Sequence, residues 1–133
     1  KKLKAVEDMA QSMGVTNAQV VHMRAEEAGQ KPDFREKYDY ATARAVARMN
    51  TLTEYCLPFV KVGGQFVAMK GSAANEELAA AGNAYKILGC EKATIICENL
   101  RENEARAFII AKKVSQTPPK YPRMGGKIAK SAL

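Results

Sequence analysis

ATIIC at residues 93–97 and AFIIAKKV at residues 107–114 are two runs rich in β-branched and aromatic side chains, separated only by the polar ENLRENEAR of residues 98–106. With no helical pattern between them, the two runs read as an antiparallel strand pair. On the N-terminal side of this pair, Ser72 is a helix N-cap, Leu78, Ala81, Tyr85 and Leu88 form an inner face, and Gly89 is a stop. Gly82 inside that helix costs about 1 kcal/mol relative to alanine. Before it, Gly63-Gly64 makes a turn into a strand, QFVAMK at 65–70. Earlier still, Val46, Met49, Leu52, Cys56, Leu57 and Val60 mark a helix that Pro58 closes, because proline has no N–H to donate. YDYATA at 38–43 and AQVVHM at 18–23 read as two further strands, divided by a polar stretch that Gly29 and Pro32 break. Leu3, Val6, Ala10 and Met13 form an amphipathic helix ended by Gly14. Beyond the strand pair, SQTPPKYPRMGGKIAKSAL has three prolines and two glycines and reads as irregular. Strand–helix alternation closed by a hairpin predicts an α/β fold, with a mostly parallel sheet and one antiparallel edge. The domain covers 1–114 and a basic tail covers 115–133.

Composition bounds the function. At 133 residues and 47% apolar content the chain builds one real core. No apolar run approaches the roughly 18 residues of a membrane span, so no membrane partner is expected. KKLKAVEDMAQSMG at the start lacks the apolar core of a signal peptide and an initiator Met, and opens directly in helical periodicity, as a cut chain would. Cys56, Cys90 and Cys97 are odd in number, fall in apolar stretches and never sit at metal-ligand spacing. They read as buried thiols in a reducing, cytoplasmic compartment. His22 is the only histidine, which leaves no metal site and no Ser-His triad. The net charge of +7 is unevenly placed: residues 1–104 carry 14 basic and 14 acidic side chains, whereas residues 105–133 carry seven basic and none acidic. Such asymmetry points to a polyanion such as nucleic acid, against the plainer reading of a solvated tail.

Open sheets of this kind bind ligands beyond the carboxyl ends of their strands. The segments to inspect are therefore His22 to Glu26, Thr42 to Ala45 and Lys70 to Ser72, each polar or charged directly after an apolar strand. Together with Arg24-Ala25-Glu26-Glu27, YDYATARAV at 38–46, Leu57-Pro58 through Gly63-Gly64, Lys70-Gly71 and TPPKYPR at 117–123, they resemble the glucose-inhibited division protein B family. The likeness runs along essentially the whole chain, and TARAV and PKYPR are its specific parts. The resemblance implies a class I (Rossmann-like) S-adenosylmethionine-dependent methyltransferase fold, N-terminally truncated, with this chain supplying strands three to seven. It implies transfer, by the complete protein, of a methyl group from S-adenosyl-L-methionine to N7 of a guanine in 16S ribosomal RNA, with this chain alone expected to be inactive. The substrate is then free RNA or the small ribosomal subunit. Neither Gly63-Gly64 nor Gly125-Gly126 is expected to precede a helix, so neither reads as the family's Gly-rich cofactor turn.

By the same resemblance, Ala25 and Glu26 lie where this fold meets adenine. Arg44 faces the cofactor or the target nucleotide; the alternative for it is a salt bridge to Asp39 or Glu26. Lys70 meets RNA phosphate, or else is a surface lysine lying along its own stem. Lys120, Arg123 and Lys127 of the tail contact RNA. After Arg123 the tail departs from the family, keeping its charge without the expected prolines. Guanine N7 already presents a lone pair, so the reaction needs positioning and charge rather than a general base. No catalytic base is assigned, and Arg44 is the best candidate for a role in transfer. Two other readings stay open: a non-enzymatic RNA-binding module and a dinucleotide-dependent oxidoreductase. Without the first two strands of the fold, the edges of AQVVHM and YDYATA invite self-association.

Overall fold

The structure, a computed structural model, describes residues 1–44, 47–101 and 104–133; for residues 98–101, 104 and 105 it gives the backbone alone. The described elements run α1 (Lys2–Ser12), α2 (Ala25–Ala28), β1 (Tyr38–Arg44), α3 (Met49–Cys56), β2 (Val60–Lys70), α4 (Ala74–Ala80), α5 (Gly82–Leu88), β3 (Thr94–Arg101), β4 (Glu104–Lys112) and α6 (Lys127–Lys130). The strands form one sheet in the order β1-β2-β4-β3. β1 runs parallel to β2, whereas β2–β4 and β4–β3 are antiparallel. The closing pair is therefore as expected. The sheet as a whole is mixed rather than mostly parallel, because only one helical crossover links neighbouring strands.

AQVVHM, expected as a strand, is not one: no strand is assigned between α1 and β1. An extended segment becomes a strand only where a neighbour takes its backbone hydrogen bonds, and among the described residues no strand pairs with it. The glycine pair at 63–64 is not a turn but lies inside β2. The β1–β2 register jumps from Tyr38↔Val60 to Tyr40↔Gln65, so β2 bulges there. A Cβ on Gly64 would stand 2.5 Å from the Asp39 carbonyl oxygen, and glycine lets the two backbones close on each other. Pro58 does end α3, in a short 3₁₀ turn over Leu57–Phe59. Val46, expected in the same helix, lies outside the described residues. Gly82 splits the next helix into α4 and α5, and Ser72 does not cap it: α4 starts from Ala73 without a side-chain cap. Gly89 stops α5 in the left-handed region at φ 95°.

One face of the sheet is the core. Phe66, Ala68, Ile109 and Ala111 alternate inward and meet Met49, Leu52 and Leu57 from α3 and the turn after it, and Ala84 and Leu88 from α5, all buried. Each large side chain here contributes about 1.5–3 kcal/mol through burial. The opposite face carries Val67, Met69, Phe108, Ile110 and Ile96, paired across the strands. Met69 and Ile96 remain 39% and 48% exposed. The helix α1 buries no residue, leaving Val6, Met9 and Met13 in water.

The tail, expected to be irregular, is largely so, except that α6, a single helical turn, starts directly after Gly125-Gly126, where no helix was expected. It is nevertheless fastened to the body. Arg35 donates from Nη1 to the carbonyls of Gly29 and Tyr121, and from Nη2 to those of Thr117 and Pro118, at 2.6–3.1 Å. Gln30 donates to the carbonyls of Pro119 and Pro122. Thr117 donates to the Leu88 carbonyl, and Tyr121 and Ile128 are buried.

Candidate functional site

Three elements flank a cavity of about 850 Å³. The start of α2 contributes Ala25 and Glu26, β1 contributes Tyr40 to Ala43, and α3 contributes Leu52 and Tyr55. Phe34, Ala47 and the tail's Ala129 complete the parts of the wall that matter below. The polar segment after AQVVHM can turn here because Arg24 is extended (ψ 140°) and the chain then enters α2 with Glu26 and Glu27 in its first turn. Carboxylates at that end are favoured by the unpaired backbone N–H groups. Glu26 is 8% exposed and lies 3.7 Å from Arg24 Nη1.

The expected residues divide. Ala25 and Glu26 meet in one cavity wall with Thr42 and Ala43 of β1. Arg44, the last residue of β1, is exposed and does not line the cavity. Neither carboxylate considered for it is its partner: Asp39 pairs with Lys61, and Glu26 with Arg24. Lys70 is engaged inside the chain. Its ammonium donates to the Ala47 carbonyl at 2.6 Å and lies 3.2 Å from Glu77, with the side chain 8% exposed. Ala47 lines the cavity, so Lys70 supports its wall rather than presenting charge at the surface.

Lys120 and Lys127 are exposed, and Lys120 Nζ lies 5.2 Å from the centre of the Tyr121 ring. Arg123 is not free in the same sense. Its Nε and Nη2 donate to the two oxygens of Glu54 at 3.0 and 2.7 Å, and its backbone N–H donates to Oε1 at 2.9 Å. The bond to Glu54 raises the Arg123 pKa further. Glu54 is fully buried on α3. Sequence reading missed Glu54, Arg35 and Gln30. The available signal was an acid among the inward residues of α3, beside Met49, Leu52 and Thr53, because a buried carboxylate demands a partner.

Chemically the cavity offers no nucleophile. Burial pushes the Cys56 thiol in its wall up to about 12, so it stays protonated. Among the described residues, no group of three histidine, cysteine or acidic side chains gathers to hold a metal. Among the described residues, Glu26 is the only carboxylate in the wall. What remains is an apolar and phenolic surface with one acid, suited to holding a flat heterocycle.

Residues 1–108 match the family model described as GidB, rRNA small subunit methyltransferase G. A ribosomal RNA small subunit methyltransferase G from Lactobacillus delbrueckii is 47% identical over 127 residues, which are 95% of this chain and 53% of that protein. One from Alkaliphilus oremlandii is 45% identical over 134 residues, covering 100% of this chain and 56% of that protein. The chain thus spans about half the length of the curated relatives it matches. In fold it is similar to an rRNA methylase from Streptococcus thermophilus, with a TM-score of 0.60 at 16% identity over 85% of this chain and 68% of that one. It is also similar to a 16S rRNA N2 methyltransferase from T. thermophilus solved with AdoMet and guanosine. There the TM-score is 0.52 at 15% identity, over 87% of this chain and 29% of that one.

Proposed function

Because this chain belongs to the GidB family, rRNA small subunit methyltransferase G, we propose that it forms part of an S-adenosylmethionine-dependent enzyme that methylates N7 of a guanine in 16S ribosomal RNA. The observation that carries the reading is the cavity that α2, β1 and α3 frame around Ala25 and Glu26. Its volume suits a nucleoside, and its residues fit the adenosine end of the cofactor. Phe34 and Leu52 offer apolar contact, and the Glu26 carboxylate accepts hydrogen bonds from an amine or hydroxyl. When bound, S-adenosylmethionine supplies an electrophilic methyl group on a sulfonium. This chain's part is to hold and align. Ala25 and Glu26 fix the nucleoside, Lys70 holds Ala47 in the wall, and Arg44, exposed at the end of β1, meets the incoming nucleotide. Arginine does so by a bidentate bond to phosphate or by stacking on the base. N7 needs no proton removed, which agrees with a cavity that has no base suited to the task.

In this reading the RNA contacts of the tail fall to Lys120 and Lys127, while Arg123 and Lys70 serve the protein itself. The reaction belongs in the cytoplasm, with ribosomal RNA; no helix among the described residues is long and apolar enough to cross a membrane. The exposed edge and face of the sheet make self-association of the chain part of the same proposal. The test is transfer of labelled methyl from S-adenosylmethionine to small ribosomal subunits that lack the modification, with nucleoside analysis of the product. The expected product is 7-methylguanosine in 16S RNA. A label on another atom, or no transfer to RNA by the complete enzyme of which this chain is part, overturns the reading.

A further inference from the structure

The tail's positive charge is not spread along a loose end. Arg35 and Gln30 grip its first part by its carbonyls, and Pro122 packs so close to the end of α2 that a Cβ on Gly29 would meet it at 2.9 Å. One residue later Arg123 closes on the buried Glu54 with four hydrogen bonds, and its Nη2 also donates to the Ser131 carbonyl at 2.7 Å. That last bond spans α6. Arg123 therefore ties the body at Glu54 to the far end of α6, and the turn between them is pinned at both ends. Within that turn Ile128 is buried and Ala129 reaches the cavity wall, while Lys127 and Lys130 stay exposed. Lys127 and Lys130 are three apart on the turn and so share a face.

We propose that Arg123 is a positioning residue: clamped to Glu54, it holds α6 at the cavity so that Lys127 and Lys130 form a phosphate-binding edge for the RNA substrate beside the bound cofactor. This rests on the reading of the chain as part of an RNA methyltransferase and assigns the order of roles within its tail. Two lysines on a loose tail would contribute charge but no register. On a pinned turn they place an RNA backbone against the cavity, since phosphate contacts set position rather than sequence preference. Glu54 cancels the charge of Arg123, which leaves the phosphate contacts to the lysines.

The test is a mutational cycle in the complete enzyme of which this chain is part, read by methyl transfer to small ribosomal subunits that lack the modification. Arg123→Ala should raise KM for the subunits by about tenfold with kcat within about twofold, and lower the salt slope of RNA binding as far as Lys127→Ala/Lys130→Ala does. Combining the two sets should add little, because residues that act through one another are not additive. A chain ending at Met124 keeps Arg123 and Glu54 in place and should lose the same KM advantage; adding Arg123→Ala to it should change KM no further. Should Arg123→Ala fail to fold, Arg123→Lys, which keeps the charge but not the fork, takes its place in the cycle. Additive effects, a loss confined to kcat, or a shortened chain with unchanged KM would each overturn the inference while leaving the methyltransferase reading standing. A complete wild-type enzyme that transfers no methyl group to RNA would instead remove the reading on which it rests.

Discussion

Arg44 and Arg123 are both arginines in motifs that resemble the family, yet their surroundings give them opposite work. Arg44 is exposed at the end of β1, with the two acids considered for it, Asp39 and Glu26, paired elsewhere; Arg123 is fixed to a buried carboxylate. Arg44→Ala should therefore cut methyl transfer at least tenfold, about 1.4 kcal/mol, with the melting temperature within a few degrees. A large loss of stability with unchanged turnover per folded molecule would show a structural role instead. The thiols differ in the same way. Burial pushes Cys56 and Cys90 up to about 12, the latter despite Lys113 drawing it down, whereas Cys97 is exposed. Because the folded state holds those two protons more tightly, the stability they contribute is present in full below their ordinary value of 9.0 and is lost as pH rises through about 12. At about pH 8 a thiol reagent should label Cys97 quickly and Cys56 and Cys90 only after denaturation. Rapid native labelling of Cys56 would contradict the depth of its burial.

The helix stop at Gly89 combines two demands that only glycine meets. Its φ of 95° is left-handed, and a Cβ there would stand 2.2 Å from the Ser115 carbonyl oxygen. Backbone N–H groups of Val114 and Ser115 both donate to the Gly89 carbonyl, so the same residue joins α5 to the end of β4. Gly89→Ala should cost about 2 kcal/mol or more in chemical denaturation, through backbone strain and a displaced Ser115. A cost near zero would mean that this junction is not held as described. β2 shows the reverse lesson. Its glycine pair is legible in sequence as a break, but whether a break becomes a turn or a bulge depends on the strand opposite, here Asp39.

For the molecule as a whole, the sheet buries one face and leaves its β1 edge open among the described residues. β1 has β2 along one edge only among the described residues, with Tyr40 64% exposed. On the face that Val67, Met69, Phe108, Ile110 and Ile96 share, Met69 and Ile96 are exposed, and α1 holds its own apolar stripe in water. Exposed strand edges and contiguous apolar surface drive association. The chain on its own should self-associate in light scattering and bind S-adenosylmethionine too weakly to measure by calorimetry. Met69→Lys and Ile96→Lys together should shift it toward monomer. A monodisperse wild-type monomer that binds the cofactor at micromolar concentration would defeat this account.

Much of the element order was readable beforehand because its signals are local. The ATIIC and AFIIAKKV runs pair across a short connection, the inward stripe Ala81, Tyr85 and Leu88 survives the break at Gly82, and Pro58 and Gly89 stop helices by their own backbone chemistry. The sharply asymmetric charge was equally plain. The tertiary structure alone decided which of these features found partners. AQVVHM has strand composition and is not a strand, since strand hydrogen bonds belong to a pair and not to a segment. Arg123 looked like one more cation in a basic tail until the fold brought it to Glu54, 69 positions away. Spacing in a sequence carries no record of such a contact: its energy comes from burying a carboxylate that nothing nearby in the chain can satisfy.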